Sequence, residues 1–149
     1  MQWIHATDMQ EVSATDLYQI LKLRQDVFIV EQNCIYEDID DLDPNSEHVF
    51  LKNDGKIIAY SRIVPAGMKF EYPSIGRIVI NKSHRGKGFG KEIVQKSLNI
   101  LSERKVKVVL IEAQSHLQRF YETLGFKKIS DSYPVDGISH IKMTYEFEA

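Results

Sequence analysis

"HRGKGFG", residues 84–90, sets three glycines and two cations between a strand-like run, "SIGRIVIN" (74–81), and a helix-like run, "KEIVQKSLNILSERK" (91–105). A glycine-rich turn that opens a helix presents backbone N–H groups to an anion, and the helix dipole adds to the attraction. Glycine also lets the backbone come close to a ligand without a Cβ in the way. The stretch therefore predicts a phosphate cradle. A Walker A loop requires G-x-x-x-x-G-K-[ST]. Here Glu92 follows Gly90-Lys91, and Arg85 stands where the first glycine belongs. A dinucleotide fingerprint fits Gly86 and Gly88, with Glu112 near the place of a ribose-binding acid. Lys91 replaces its third glycine, and the chain is too short for the rest of that fold. What remains is Arg85-x-x-Gly88-x-Gly90, or else a turn that merely reverses the chain.

Outward from this loop, strand and helix patterns alternate. "QWIHA" (2–6) suits a short strand. Ser13 or Thr15 can cap a helix reaching about Glu31, with Asp16 as the reciprocal acid for Ser13. Leu17, Ile20, Leu21, Val27 and Phe28 follow the helical period. "EHVFLK" (47–52) and "KIIAYSRIV" (56–64) flank Asp54-Gly55, a strong hairpin pair. "PAGMKFEYP" (65–73) loops back to the strand at 74–80. The helix after the glycines aligns Ile93, Val94, Ser97, Leu98 and Leu101 on one face. "VKVVLIE" (106–112) is apolar enough for a strand buried on both faces. "SHLQRFYETLG" (115–125) carries Ser115 and Gln118 as a capping box and Gly125 as a stop. "FKKIS" (126–130) and "HIKMTYEF" (140–147) close the chain as strands, giving β-α-β-β-β-α-β-α-β-β and a mixed sheet.

The chain of 149 residues suits one well-packed domain. A net charge near −2 gives no basis for a nucleic-acid partner. No apolar run is long enough for a membrane span, and the N-terminus lacks the pattern of a secretory signal. Cys34 is the only cysteine, which excludes an intrachain disulfide and makes a reducing cytoplasm the default location. No cluster has the spacing of a zinc site, so no metal is expected.

The Arg85-x-x-Gly88-x-Gly90 run matches the R/Q-x-x-G-x-G/A pattern, and here the sequence resembles the GNAT superfamily of acyl-CoA-dependent N-acetyltransferases. The resemblance implies an α/β, single-domain GNAT fold, with a mostly antiparallel sheet of six or seven strands and helices on both faces. It implies acetyl-CoA as acyl donor, held by Arg85, Gly86, Lys87, Gly88, Phe89, Gly90 and Lys91. The preceding strand, Ile78, Val79 and Ile80, would offer its backbone to the pantetheine amides. "SHLQRFYETLGF" resembles the next family signature, which places Tyr121 as the acid that protonates the departing CoA thiolate. Core packing is the other reading of Tyr121, because Leu117, Phe120 and Leu124 share its helical face.

"LRQDVFIVEQNCIYEDIDDLD" (23–43) is similar to the ElaA-like branch of that superfamily, with its R-x-x-V-F-x-V-E-Q-x-C segment and acidic loop. Arg24 and Glu31 fall on the apolar stripe of their helix, where unpaired charge is costly. They either pair with each other or with the loop as a structural ion network, or line a polar pocket with Asp38, Asp41, His48 and Arg77 as substrate-binding groups. The acidic run is by default a solvated loop; beside a CoA site it would also attract an ammonium. Arg24 and Phe28 with Glu37, Asp38 and Asp41 also resemble acyl-homoserine-lactone synthases, which share the GNAT core. The resemblance thus points to a small-molecule amine or a peptide N-terminus as acceptor and leaves room for a homodimer. The alternatives are that synthase chemistry, a CoA-binding module without turnover, and an interaction domain that binds no CoA.

Amine acylation needs a neutral nucleophile, so a base must take a proton. Many family members use a carboxylate on the strand before the phosphate loop, but "SIGRIVI" has none and Arg77 stands near that place. Glu112 is the first candidate for the base and His48 the second. Cys34 could carry an acyl group, although a lone cysteine in this setting more often packs.

Overall fold

The computed structural model describes residues 1–148. Its strands are β1 (Gln2–Ala6), β2 (Glu47–Asn53), β3 (Lys56–Val64), β4 (Ser74–Ile80), β5 (Val108–Gln114), β6 (Lys127–Lys128), β7 (Tyr133–Val135) and β8 (Ile138–Glu146). The helices are α1 (Ala14–Arg24), α2 (Phe89–Ser102) and α3 (Gln118–Thr123). One sheet runs β1-β2-β3-β4-β5-β8-β6, with β7 also paired to β8. Only β4 and β5 are parallel; the other pairs are antiparallel. The sheet has eight strands. The one beyond the expected number is β7, turned onto β8 by Asp136-Gly137 with φ of +49° and +80°. Such left-handed pairs favour two-residue hairpins, as Asp54-Gly55 does between β2 and β3.

Side chains alternate across β2 and β3, so each helix receives its own face. Phe50, Ile57 and Tyr60 meet Ile20 and Leu23 of α1 and Val27 in the turn that continues it. Val49, Leu51 and Ile63 lie with Ile93, Val94 and Leu98 of α2. Every residue of β3 after Lys56 is buried, as expected of an interior strand covered on both faces. Among the described residues no helix is long and apolar enough to cross a membrane.

The helix signals are met in part. Ser13 Oγ accepts from the Asp16 N–H at 3.1 Å. The Asp16 carboxylate does not return the contact, because Lys52 lies 2.9 Å from it. The helix continues to Glu31, but from Gln25 it widens into a π-helix. π-Helical turns recur at functional sites. The capping box at Ser115 does not form: its hydroxyl pairs with Ser139 at 2.7 Å, and α3 begins only at Gln118. Gly125 does end α3. Its φ is +102°, and a Cβ there would lie 2.9 Å from the Tyr145 ring.

Arg24 turns into the protein rather than into a substrate pocket. Its Nε donates to Asp38 Oδ2 at 2.9 Å and its Nη1 to Asp43 Oδ1 at 2.8 Å. Arg62 reaches the same Asp43 oxygen at 3.0 Å and holds Asp40 through both Nη atoms at 2.7 and 2.6 Å. Arg77 joins through Asp38 and Asp40. Three guanidiniums thus face three carboxylates, in a cluster where Arg24 and Arg62 are fully buried. Burial pushes the Asp40 and Asp43 carboxyls up, but the arginine hydrogen bonds outweigh it and hold both below the usual range.

Three expected substrate contacts are corrected by this cluster. Arg24 and Asp38 are spent on each other, with the Tyr36 hydroxyl donating to Asp38 at 2.9 Å. His48 is buried; its Nε2 donates to the Asp43 carbonyl at 3.0 Å, which leaves Nδ1 to accept from the Tyr60 hydroxyl at 2.8 Å. Burial pulls its pKa down, so it is neutral with both nitrogens engaged and cannot serve as the base.

Asp43→Asn leaves two buried guanidiniums short of charge and should lower stability by about 3–5 kcal/mol, read by urea unfolding. For the wild type, the folded-state depression of Asp40 and Asp43 stabilises the fold fully above the ordinary aspartate pKa. The urea midpoint should therefore be flat near neutrality and fall as pH drops below about 4.

Candidate functional site

β4 and β5 run side by side at one pair only, Ser74 with Leu110. Beyond it they part, and both line a cleft of about 690 Å³. The backbone of β4 prepares this separation. Between Tyr60↔Val79 and Arg62↔Gly76 it carries one more residue than β3, a bulge. Arg77 sits there with φ of +50°, a conformation uncommon for a side-chain-bearing residue. Its guanidinium is held by Asp38 and Asp40 and lies 5.6 Å over the Tyr36 ring. Past the bulge, Ile78, Val79 and Ile80 lie along the cleft without β5 beside them.

The glycine loop closes one end. Gly88 is the cap of α2 with φ of +86° and contributes no side-chain acceptor to the first turn. The opening N–H groups of this helix are thus free to meet an anion. Arg85, Gly86, Gly88, Phe89, Gly90 and Lys91 line the cleft, whereas Lys87 does not. Arg85 is clamped by Glu31, its Nη atoms donating to the carboxylate at 2.6 and 2.9 Å. Glu31 therefore faces the phosphate end of the cleft, across from the loop.

Tyr121 enters the same cleft from α3. Its ring packs edge-on against Phe120 at 5.1 Å and Phe126 at 5.8 Å, so it belongs to the core as well. Its hydroxyl meets no hydrogen-bond partner among the described residues. Burial pushes its pKa up to about 12, so it stays protonated near neutral pH. Cys34 also lines the cleft, with its thiol donating to the Asp136 carbonyl at 3.4 Å.

A smaller recess of about 290 Å³ adjoins the cleft and shares Tyr36, Arg77, Glu112 and His140 with it. Glu37, Asp40 and Lys69 line its own part. Glu112 stands on the shared wall. The Tyr133 hydroxyl donates to its Oε2 at 2.6 Å, while Lys69 Nζ lies 3.6 Å from its Oε1. Asp41, exposed with φ of +67°, lines neither cavity, because its side of the loop faces solvent. Sequence reasoning missed Tyr133, Lys69 and His140. The Asp136-Gly137 turn could have revealed Tyr133 as part of a hairpin. Nothing in "PAGMKFEYP" marks Lys69.

A family model described as an acetyltransferase (GNAT) domain matches residues 6–147. The protein ElaA of Escherichia coli is 38% identical over 139 residues, covering 91% of each chain. The crystal structure of Escherichia coli ElaA superposes with a TM-score of 0.90 over 98% of this chain and 100% of its own, at 35% identity. An acyl-CoA N-acyltransferase from Pseudomonas aeruginosa gives a TM-score of 0.90 at 31% identity, covering 97% of this chain and 98% of its own.

Gly88→Val forces a β-branched residue into a left-handed cap and should weaken coenzyme A binding about tenfold or more, roughly 1.4 kcal/mol by calorimetry. Gly90→Ala is the control. A Cβ there meets only Phe120, at an ordinary 3.6 Å, so any loss beyond threefold would come from the ligand side.

Proposed function

The chain belongs to the GNAT acetyltransferase family, and from that membership we propose that it transfers an acetyl group from acetyl-CoA to a primary amine. One observation carries the reading: a single cleft joins an anion cradle, a protonated hydroxyl at Tyr121 and a carboxylate at Glu112. These are the parts that direct aminolysis of a thioester within a ternary complex requires.

The chemistry follows from where each group stands. The α2 N-terminus and Arg85 would take the pyrophosphate, and the unpaired edge of β4 at Ile78–Ile80 would take the pantetheine amides. This directs the thioester toward the wall where Glu112 lies. The acceptor would enter through the recess on the other side of that wall. Tyr133 occupies Glu112 Oε2, which leaves Oε1 as the oxygen that can take a proton from the attacking nitrogen. As the C–S bond breaks, charge collects on sulfur, and the Tyr121 hydroxyl, which has no hydrogen-bond partner among the described residues, is a donor in the cleft that can protonate it. A proton donor positioned in this way is worth roughly 10²- to 10⁴-fold in rate.

The recess supports an amine acceptor by its charge. Arg62 and Arg77 are neutralised within the buried cluster, so Lys69 is set against Glu37, Glu112 and Asp136. This carboxylate excess favours a cationic guest, and salt should weaken the attraction. A reducing cytoplasm, where acetyl-CoA is made available, is the location this reading implies.

Screening amines for thiol release from acetyl-CoA tests the activity, with polyamines, amino sugars, amino acids and peptide N-termini as the first panel. Tyr121→Phe keeps the ring packing and should lower kcat about 10²-fold or more while acetyl-CoA affinity stays near wild type. A kcat within about threefold of wild type would assign the proton to another donor. Glu112→Gln should lower kcat by a comparable factor, with the deficit reduced as pH rises and more of the amine is already neutral.

A further inference from the structure

The chain places one of its own amines beside the carboxylate that faces the cleft. Lys69 lies in the connection between β3 and β4, and its side chain turns into the recess, where 32% of it remains exposed. Nζ is 3.6 Å from Glu112 Oε1, beyond hydrogen-bond length, so no tight ion pair holds it. It also lies 5.4 Å over the Phe70 ring, which Lys142 Nζ meets at the same distance from its own side. Burial pulls the Lys69 pKa below the usual lysine value. Glu112 and Asp40 oppose that shift, and Arg77 and Arg62 add to it. An amine so placed stands beside a carboxylate without being tightly paired, and its ammonium form is less favoured than that of a fully solvated lysine.

We propose that Lys69 is a self-acetylation site: without a competing acceptor, its ε-amine takes the acetyl group of acetyl-CoA bound in the cleft. The inference rests on the acyltransfer reading above. The neutral nitrogen attacks the thioester carbonyl carbon, forming the N–C bond as the C–S bond breaks. Glu112 takes the proton released from nitrogen, and the CoA sulfur leaves as a thiol after taking the Tyr121 proton. Solvent then moves a proton from Glu112 back to the tyrosine, so the net products are Nε-acetyl-lysine and CoA. The modification removes the cation set against Glu37, Glu112 and Asp136. The recess of the acetylated protein is thus more favourable to a cationic acceptor than that of the unmodified one.

The test uses the full chain with acetyl-CoA and no amine, followed by intact mass and peptide mapping. The expected result is one acetyl group on Lys69, formed at a first-order rate that does not change with protein concentration. That rate should exceed the rate at the exposed Lys127 and Lys128 by about 10²-fold, the scale of positioned acid–base help. Absence of the Lys69 adduct overturns the proposal, as does a rate equal to that at Lys127 or one that rises with protein concentration. Lys69→Arg should abolish the adduct at this position while acetylation at Lys127 and Lys128 continues at its wild-type rate. Amine-dependent release with Lys69 unmodified sinks self-acetylation alone. Loss of CoA binding in calorimetry would remove the acyltransfer reading as well.

Discussion

Arg24 and Arg62 have lost nearly all contact with water, and the cost of burying each cation is offset by Asp38, Asp40 and Asp43 beside it. Moving a guanidinium out of water costs several kcal/mol even after relaxation, and removing one partner from a buried pair is more damaging than replacing the whole pair. The cluster therefore acts as a clasp. It ties α1, β3 and the bulge of β4 to the segment between Glu31 and Glu47, which has little regular structure of its own. That segment supplies Tyr36, Glu37 and Asp40 to the recess wall. Without the clasp, the recess would lose one side and Arg77 would lose what holds it in its left-handed conformation.

The bulge at Arg77 connects the clasp to the cleft. One residue too many in β4 is accommodated on the β3 side, and on the other side β4 and β5 share a single pair before they separate. A sheet that parts in its middle exposes backbone groups that a continuous sheet would pair, and buried groups of this kind need partners. An extended ligand with amides can supply them. The glycine loop, the unpaired strand edge and the two side chains proposed for acyltransfer, Tyr121 and Glu112, then lie along one path, because all of them border the same gap.

The residues that border the gap also explain why apolar stripes carried charge in this sequence. Glu31 lies on the same helix as Arg24, yet the two do different things. The π-helical stretch from Gln25 shifts the later residues around the axis, so Arg24 enters the core and Glu31 reaches Arg85 at the cleft. A regular helical period, applied to the whole segment, put both on one stripe and left open whether they pair with each other. They do not.

Signals that depend on neighbours along the chain were legible in the residues themselves. Three glycines between a strand and a helix give the left-handed start of α2 and leave its opening N–H groups without a side-chain cap by local backbone geometry. Ser13 as a cap, Asp54-Gly55 as a hairpin and Gly125 as a helix stop likewise depend on residues only a few positions apart. Tertiary structure alone decided the pairings across long separations. Arg24 finds Asp38 and Asp43 at 14 and 19 residues' distance, and Glu112 finds Tyr133 at 21. It also decided that Asp38, Asp40 and Asp43 of the acidic loop would pair with arginines while Glu37 lines the recess, and that His48 would be locked in the core. The physical reason is that an ion pair or hydrogen bond between distant residues is set by strand register and by which face a side chain takes. A single bulge or one widened helical turn changes both, and neither leaves a mark in local composition.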